Sequence, residues 1–141
     1  MRELSPWAVR SKGREQHRAF YAAYITSADW YRRRVKWAAE EAEFIAPATI
    51  VCIGGCGRDW GLSRDDMHHC SYDSLGDEAH QDLWPMCRSC HTHLHEILDS
   101  TKSWRKLPRR LANDLALEVL RRDHTVGAAA AKSPGRMRDY L

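Results

Sequence analysis

Two cysteine pairs constrain this chain more than any other feature: Cys52-Ile-Gly-Gly-Cys56 and Cys87-Arg-Ser-Cys90. Each pair presents two thiolates from one turn, and two such turns brought together make a tetrahedral sulfur cage suited to zinc. A closed cage has no open coordination position, so its role is structural: it clamps the ends of loop 57–86 against each other. That loop has few aliphatic residues and would struggle to fold without the metal. The competing reading is two unrelated pairs of buried cysteines. Three residues intervene in the first pair where two are commoner, a permitted departure. Cys70, the fifth cysteine, is left over and reads as a small buried hydrophobe.

The cysteine reading depends on compartment. The first residues, Met-Arg-Glu-Leu-Ser-Pro-Trp, lack the apolar core of a signal peptide. No apolar run approaches the ~18 residues needed to cross a bilayer. A cytoplasmic, reducing location with no membrane partner is the expectation, and there cysteines serve metals more often than disulfides. With 141 residues the chain has room for one domain with a modest core plus terminal extensions.

Its net charge of +3 is unevenly spread. Residues 1–45 carry nine Lys/Arg and six Asp/Glu, residues 46–100 three and nine, and residues 101–141 ten and four, or +3, −6 and +6. Basic ends around an acidic middle could grip a polyanion such as DNA while the middle holds cations. The alternative is that the charged helices are simply solvated.

Periodicity predicts a helix over 14–25, with Phe20, Tyr21 and Tyr24 on one face. A second starts at the N-cap Ser27, with Asp29 in its first turn, and ends before Pro47. Trp30/Tyr31, Trp37/Ala38 and Phe44/Ile45 recur along it every seven residues, a stripe read as core. Residues 48–53 are β-branched and apolar and predict a short strand, followed by a tight turn at Gly54-Gly55 and Gly57. Residues 71–82 read as loop. A helix is expected from about Arg88 to Leu98, and another after Pro108 to about Arg122 with Leu111, Leu115 and Val119 as its apolar stripe and Leu117 and Leu120 beside it. From Gly127 the composition predicts a disordered tail. The chain thus divides into a helical lead-in (1–47), a metal-rich core (48–100), a basic C-terminal helix (101–126) and the tail (127–141).

Five of the eight histidines are His68, His69, His91, His93 and His95. His91 and His95 are four apart and share a helix face, from which His93 points away. Adjacent His68 and His69 in an extended segment point to opposite sides, so one can hold a metal while its neighbour faces a substrate. Two histidines from the helix and one from the strand make a three-nitrogen site with positions left open. Any single one of them could equally be a half-buried histidine with no such duty.

The run Met67-His68-His69-Cys70-Ser71-Tyr72-Asp73-Ser74-Leu75-Gly76-Asp77-Glu78, followed by Gln81-Asp82-Leu83-Trp84-Pro85-Met86-Cys87-Arg88-Ser89-Cys90-His91 and His95, resembles the HNH endonuclease motif. It is most similar to the bacterial and phage branch that carries a four-cysteine zinc site. Tyr24-Ile25-Thr26-Ser27-Ala28-Asp29-Trp30 with Arg34 resembles the helical lead-in of that branch, so the resemblance spans about residues 20–98.

The resemblance implies an α+β fold: a ββα-metal (His-Me finger) core stabilised by a four-cysteine zinc site, with flanking α-helices. It implies a metal-dependent DNA endonuclease in which His69 is the general base. His68, His91 and His95 would ligate a catalytic divalent metal (Mg2+, Mn2+ or Ni2+), distinct from the structural Zn2+ on Cys52, Cys56, Cys87 and Cys90. Asp82 takes the place of the middle Asn, whose side chain holds the loop that carries the base; as Asp it keeps the acceptor and loses the amide donor. The implied setting is the cytoplasm of a prokaryotic or phage-infected cell, with DNA as partner and phage packaging or restriction proteins as neighbours. Physical chemistry agrees: an imidazole of ordinary pKa near 6.5 can take a proton from water, and a cation can compensate charge on the phosphate and the departing oxygen. A second reading is a non-catalytic zinc-binding DNA module, which has no need of four placed histidines. Residues 101–141 lie outside the resemblance, and their Trp104, Lys102, Arg105, Lys106, Arg109, Arg110, Arg121 and Arg122 fit either a DNA arm or a docking helix.

Overall fold

The computed structural model describes the backbone of residues 6–132 and the side chains of residues 15–126. In chain order it has helices α1 (Pro6–Ile25) and α2 (Ala28–Ile45), strand β1 (Asp66–His69), a 3-10 turn over His80–Asp82, and strand β2 (Leu83–Met86). Helices α3 (Arg88–Asp99), α4 (Lys102–Lys106) and α5 (Arg109–Lys132) follow. The architecture is α+β, with one two-stranded antiparallel sheet.

Helix α2 begins as its sequence dictates: the Ser27 side chain accepts a hydrogen bond from the Trp30 N–H, and Asp29 lies in the first turn. Its stripe is only partly core. Trp30 and Trp37 are buried, whereas Phe44, seven residues further on the same face, is 86% exposed. The expected strand over 48–53 does not form. Val51 makes a single bridge to Asp59, flanked by Cys52 N–H to Arg58 carbonyl (2.9 Å) and Trp60 N–H to Ile50 carbonyl (2.8 Å). The glycine turn after Cys52 folds the segment back on itself before a ladder can extend, and the Ile53 N–H instead reaches the Pro85 carbonyl on β2 (2.8 Å).

The hairpin is the middle layer of the molecule. β1 and β2 pair as Asp66↔Met86, Met67↔Pro85, His68↔Trp84 and His69↔Leu83. Strand alternation then sorts residues onto two faces. Met67 and Leu83 join Tyr24, Trp30, Trp37 and Trp60 in one core under α1 and α2. Met86 joins a second core with Leu94 and Leu98 of α3 and Ala112, Ala116, Leu117 and Leu120 of α5, with Cys52, Cys87 and Cys90 at its edge and Trp84 packed against it. Burying a leucine as completely as Leu94 or Leu120 contributes roughly 1.5–3 kcal/mol.

Helix α5 differs from expectation in length and in orientation. It continues through Lys132, past the point where a tail was expected; Ala128–Ala131 are strong helix formers. The rest of that tail lies outside the described residues. Of the expected apolar residues Leu111 and Leu115 are exposed while Leu117 and Leu120 are buried, and Ala112, Asn113 and Ala116 complete the buried face. Two alanines on that face let α5 approach α3 closely, and a buried polar partner draws Asn113 inward. Among the described residues no helix is long and apolar enough to cross a membrane.

Candidate functional site

Four cysteines converge where the first cysteine turn meets the start of α3. Cys52, Cys56, Cys87 and Cys90 place their sulfurs within 4.8 Å of one another, with Cys56 and Cys87 3.9 Å apart. A tetrahedral zinc site with Zn–S bonds near 2.3 Å puts sulfurs about 3.8 Å apart, so this group could hold a structural metal such as zinc. Backbone N–H groups of Gly54 and Cys87 point at Cys52 Sγ, the N–H of Cys90 points at Cys87 Sγ, and His124 Nε2 lies 3.2 Å from Cys90 Sγ. Burial pushes the Cys52 thiol up to about 11 and raises Cys90 as well. Cys87 goes the other way: burial opposes it, but the Cys90 N–H and neighbouring thiols draw it below the ordinary value. A glycine is required at 54, where a Cβ would stand 2.8 Å from Cys90 Sγ.

The histidines of the motif separate as the strand dictates. On the α3/α5 face, His68, His91 and His95 bring their ring nitrogens within 4.8 Å of one another. His68 Nδ1 is 3.3 Å from His91 Nε2, which is 3.1 Å from His95 Nε2. Metal–nitrogen bonds of 2.0–2.1 Å at tetrahedral angles would set such nitrogens about 3.3–3.4 Å apart, so the donor set fits a divalent cation. The rings are steered from outside the cluster: His91 Nδ1 lies 3.1 Å from Asp66 Oδ2, and His68 Nε2 lies 2.6 Å from Asn113 Oδ1. Burial lowers His68 to about 3, and burial followed by the charge of His91 lowers His95. Both effects favour the neutral imidazole that a metal needs. His93 faces away and meets Asp123 on α5 (3.3 Å).

On the other face lies His69, 3% exposed beneath Trp30, whose ring centroid is 4.5 Å away, with Tyr21, Tyr24 and Tyr72 around it. Its Nε2 meets Glu78 Oε2 at 2.8 Å. Glu78 is itself buried and accepts from the Tyr24 hydroxyl (2.9 Å) and the Gly76 N–H (3.1 Å). Gly76 adopts φ +96°, a left-handed turn that favours glycine and aims its N–H at the carboxylate. Burial would raise the Glu78 carboxyl, but the hydrogen bonds from His69 and Tyr24 outweigh it and hold it below the usual range. An ionised Glu78 can only accept, so His69 Nε2 is the protonated nitrogen, and a neutral ring then carries its lone pair at Nδ1.

Asp82 is placed differently from its expected role. It stands opposite Cys70 across the hairpin, where its carbonyl accepts from the Cys70 N–H (2.8 Å). That position shares the His68 face, so its side chain reaches α5 and pairs with Arg110 at 2.8 Å, while Glu78 is the carboxylate on the base candidate. Three further residues make contacts at the site that no local sequence signal announces. Glu78 lies inside the motif but carries no spacing signal of its partner. Arg109 donates to the His69 carbonyl (3.0 Å) and lies 4.0 Å over the Tyr72 ring. Asn113 holds His68. A cleft of about 410 Å³ adjoins this end of the hairpin, lined by His17, Ser71, Tyr72, Asp73, Arg109 and Arg110. A larger one of about 640 Å³ lies between α2, the first cysteine turn and β2, and neither of the two is lined by His68, His69, His91 or His95.

No protein-family model, no curated protein and no solved structure matches the chain.

Proposed function

We propose that this protein is a metal-dependent DNA endonuclease of the HNH type, hydrolysing phosphodiester bonds from a ββα-metal core made of β1, β2 and α3. One observation carries the reading. Neighbouring histidines on one strand are put to different uses: His68 completes a three-nitrogen cluster, and His69 is gripped by a buried carboxylate. A scaffold module for DNA would need neither arrangement.

In this reading Glu78 fixes the His69 ring and its tautomer, leaving Nδ1 to accept the proton of an attacking water. His68, His91 and His95 hold a divalent cation, Mg2+, Mn2+ or Ni2+. Bound there, the cation supplies positive charge to a phosphate oxygen and to the departing oxygen. Arg109 and Arg110, which line the cleft with Tyr72, suit a polyanionic backbone, with the basic termini adding affinity that depends on salt. Cys52, Cys56, Cys87 and Cys90 hold structural zinc, and Cys87 also caps the helix that carries His91 and His95.

The test is nicking of supercoiled plasmid with Mg2+, Mn2+, Ni2+ or Zn2+, comparing wild type with His69→Ala. The variant should lose roughly 10²- to 10⁴-fold in rate while still binding Ni2+. Undiminished nicking by His69→Ala sinks the mechanism. Salt-dependent DNA binding without nicking under any metal would leave the non-catalytic DNA module in its place.

A further inference from the structure

We propose that Asn113 is a positioning residue for the histidine cluster, setting the His68 tautomer that leaves Nδ1 bare toward His91 and His95. The inference rests on reading that cluster as a cation site. Asn113 belongs to α5, outside the segment that resembles the nuclease motif, and is 0% exposed.

The partners of Asn113 dictate the direction of its amide. Its Nδ2 lies 3.2 Å from the Cys70 carbonyl and 2.9 Å from the Arg109 carbonyl. Carbonyl oxygens only accept, so the NH2 group must face them. Oδ1 is then the atom 2.6 Å from His68 Nε2. An amide oxygen also only accepts, so Nε2 must carry the proton. A neutral imidazole has one N–H, which leaves the lone pair on Nδ1, the atom 3.3 Å from His91 Nε2. The direction of one buried amide thus decides which nitrogen of His68 can bind a cation. Asp66 acts alike on His91, accepting from Nδ1–H so that Nε2 faces the cluster. Groups that hold the far nitrogen of a metal-binding histidine typically change metal affinity by roughly ten- to a hundredfold when removed.

The test uses the full chain with zinc loaded on the cysteines. Ni2+ is titrated by calorimetry into wild type, Asn113→Asp and Asn113→Leu, and 15N histidine spectra are recorded before Ni2+ is added. Wild type should bind one Ni2+, with His68 protonated at Nε2. Asn113→Asp keeps an acceptor for Nε2–H but turns its other oxygen toward the Cys70 and Arg109 carbonyls, so it should keep the His68 tautomer and melt at a lower temperature. Asn113→Leu should bind roughly ten- to a hundredfold more weakly, with zinc content unchanged and His68 losing its single tautomer. Equal Ni2+ affinity in Asn113→Leu with the tautomer intact overturns the assignment. Should Asn113→Leu fail to retain zinc, the wild-type spectrum decides alone, and a proton on His68 Nδ1 overturns it. Absence of any Ni2+ uptake by wild type overturns the cation reading of the cluster, while the tautomer still judges Asn113.

Discussion

The His69–Glu78 contact joins two side chains that are both essentially out of water, at 2.8 Å. At that depth a hydrogen bond to a charged acceptor is worth more than on the surface, and losing the charge is felt. Glu78→Gln should therefore slow plasmid nicking by on the order of 10²-fold and leave Ni2+ affinity at the His68 cluster unchanged; a loss of both together would mean that the change had disturbed the hairpin as a whole. His68 gives a separate signature in pH. Burial holds it at about 3 in the fold, against about 6.5 when unfolded. Between those values the unfolded chain takes up a proton that the folded chain refuses, so stability is complete above about pH 6.5 and declines as pH falls toward 3. Melting temperatures measured from pH 7 to 4 without added Ni2+ should fall less steeply in His68→Asn than in wild type. The ligand candidates at this scale were legible because their spacing is local: CxxxC, CxxC, an adjacent pair, and i, i+4. Asn113 and Arg109 were not, since each meets its histidine across 45 and 40 residues with no periodic trace.

Among the elements, α2 could be read from its cap and breaker, since Ser27 and Pro47 act within a turn of where they sit. The strand expected over 48–53 failed for the complementary reason: β-branched residues favour extension, but the glycines that follow commit the chain to a turn around sulfur. Gly54 makes that commitment testable. An added Cβ would sit 2.8 and 2.9 Å from Sγ and Cβ of Cys90, held at the start of α3. Gly54→Ala should lower zinc retention at least tenfold in competition with a chelator, whereas Gly57→Ala, with open space at its Cβ but a φ of +78°, should act only through backbone strain and weigh less. Helix α5 shows how a polar residue can rotate an amphipathic reading. Leu111 and Leu115 turn outward and the side carrying Asn113 faces inward, because Leu117 and Leu120 supply the apolar contact and His68 supplies the hydrogen bond.

For the molecule as a whole, the hairpin separates an aromatic core beneath α1 and α2 from an aliphatic core between α3 and α5. Both candidate metal centres lie along the second. A chain ending at Ser100 would keep every cysteine and histidine of the motif, yet it would uncover Leu94 and Leu98 and remove the partners of His68 and Cys90. We expect such a chain to lose zinc and cooperative melting together, measured by metal analysis and calorimetry; a truncated chain that melts sharply with zinc bound would show that α5 is an accessory. The position of α5 carries one more consequence. It touches the nitrogen cluster through Asn113 and the sulfur cluster through His124, eleven residues and three turns apart on one face. A rod that transmits order between its ends would make cations bound at the two clusters each other's effectors. Thermodynamic reciprocity then requires that whatever factor zinc adds to affinity at the histidines, an ion at the histidines returns to the zinc.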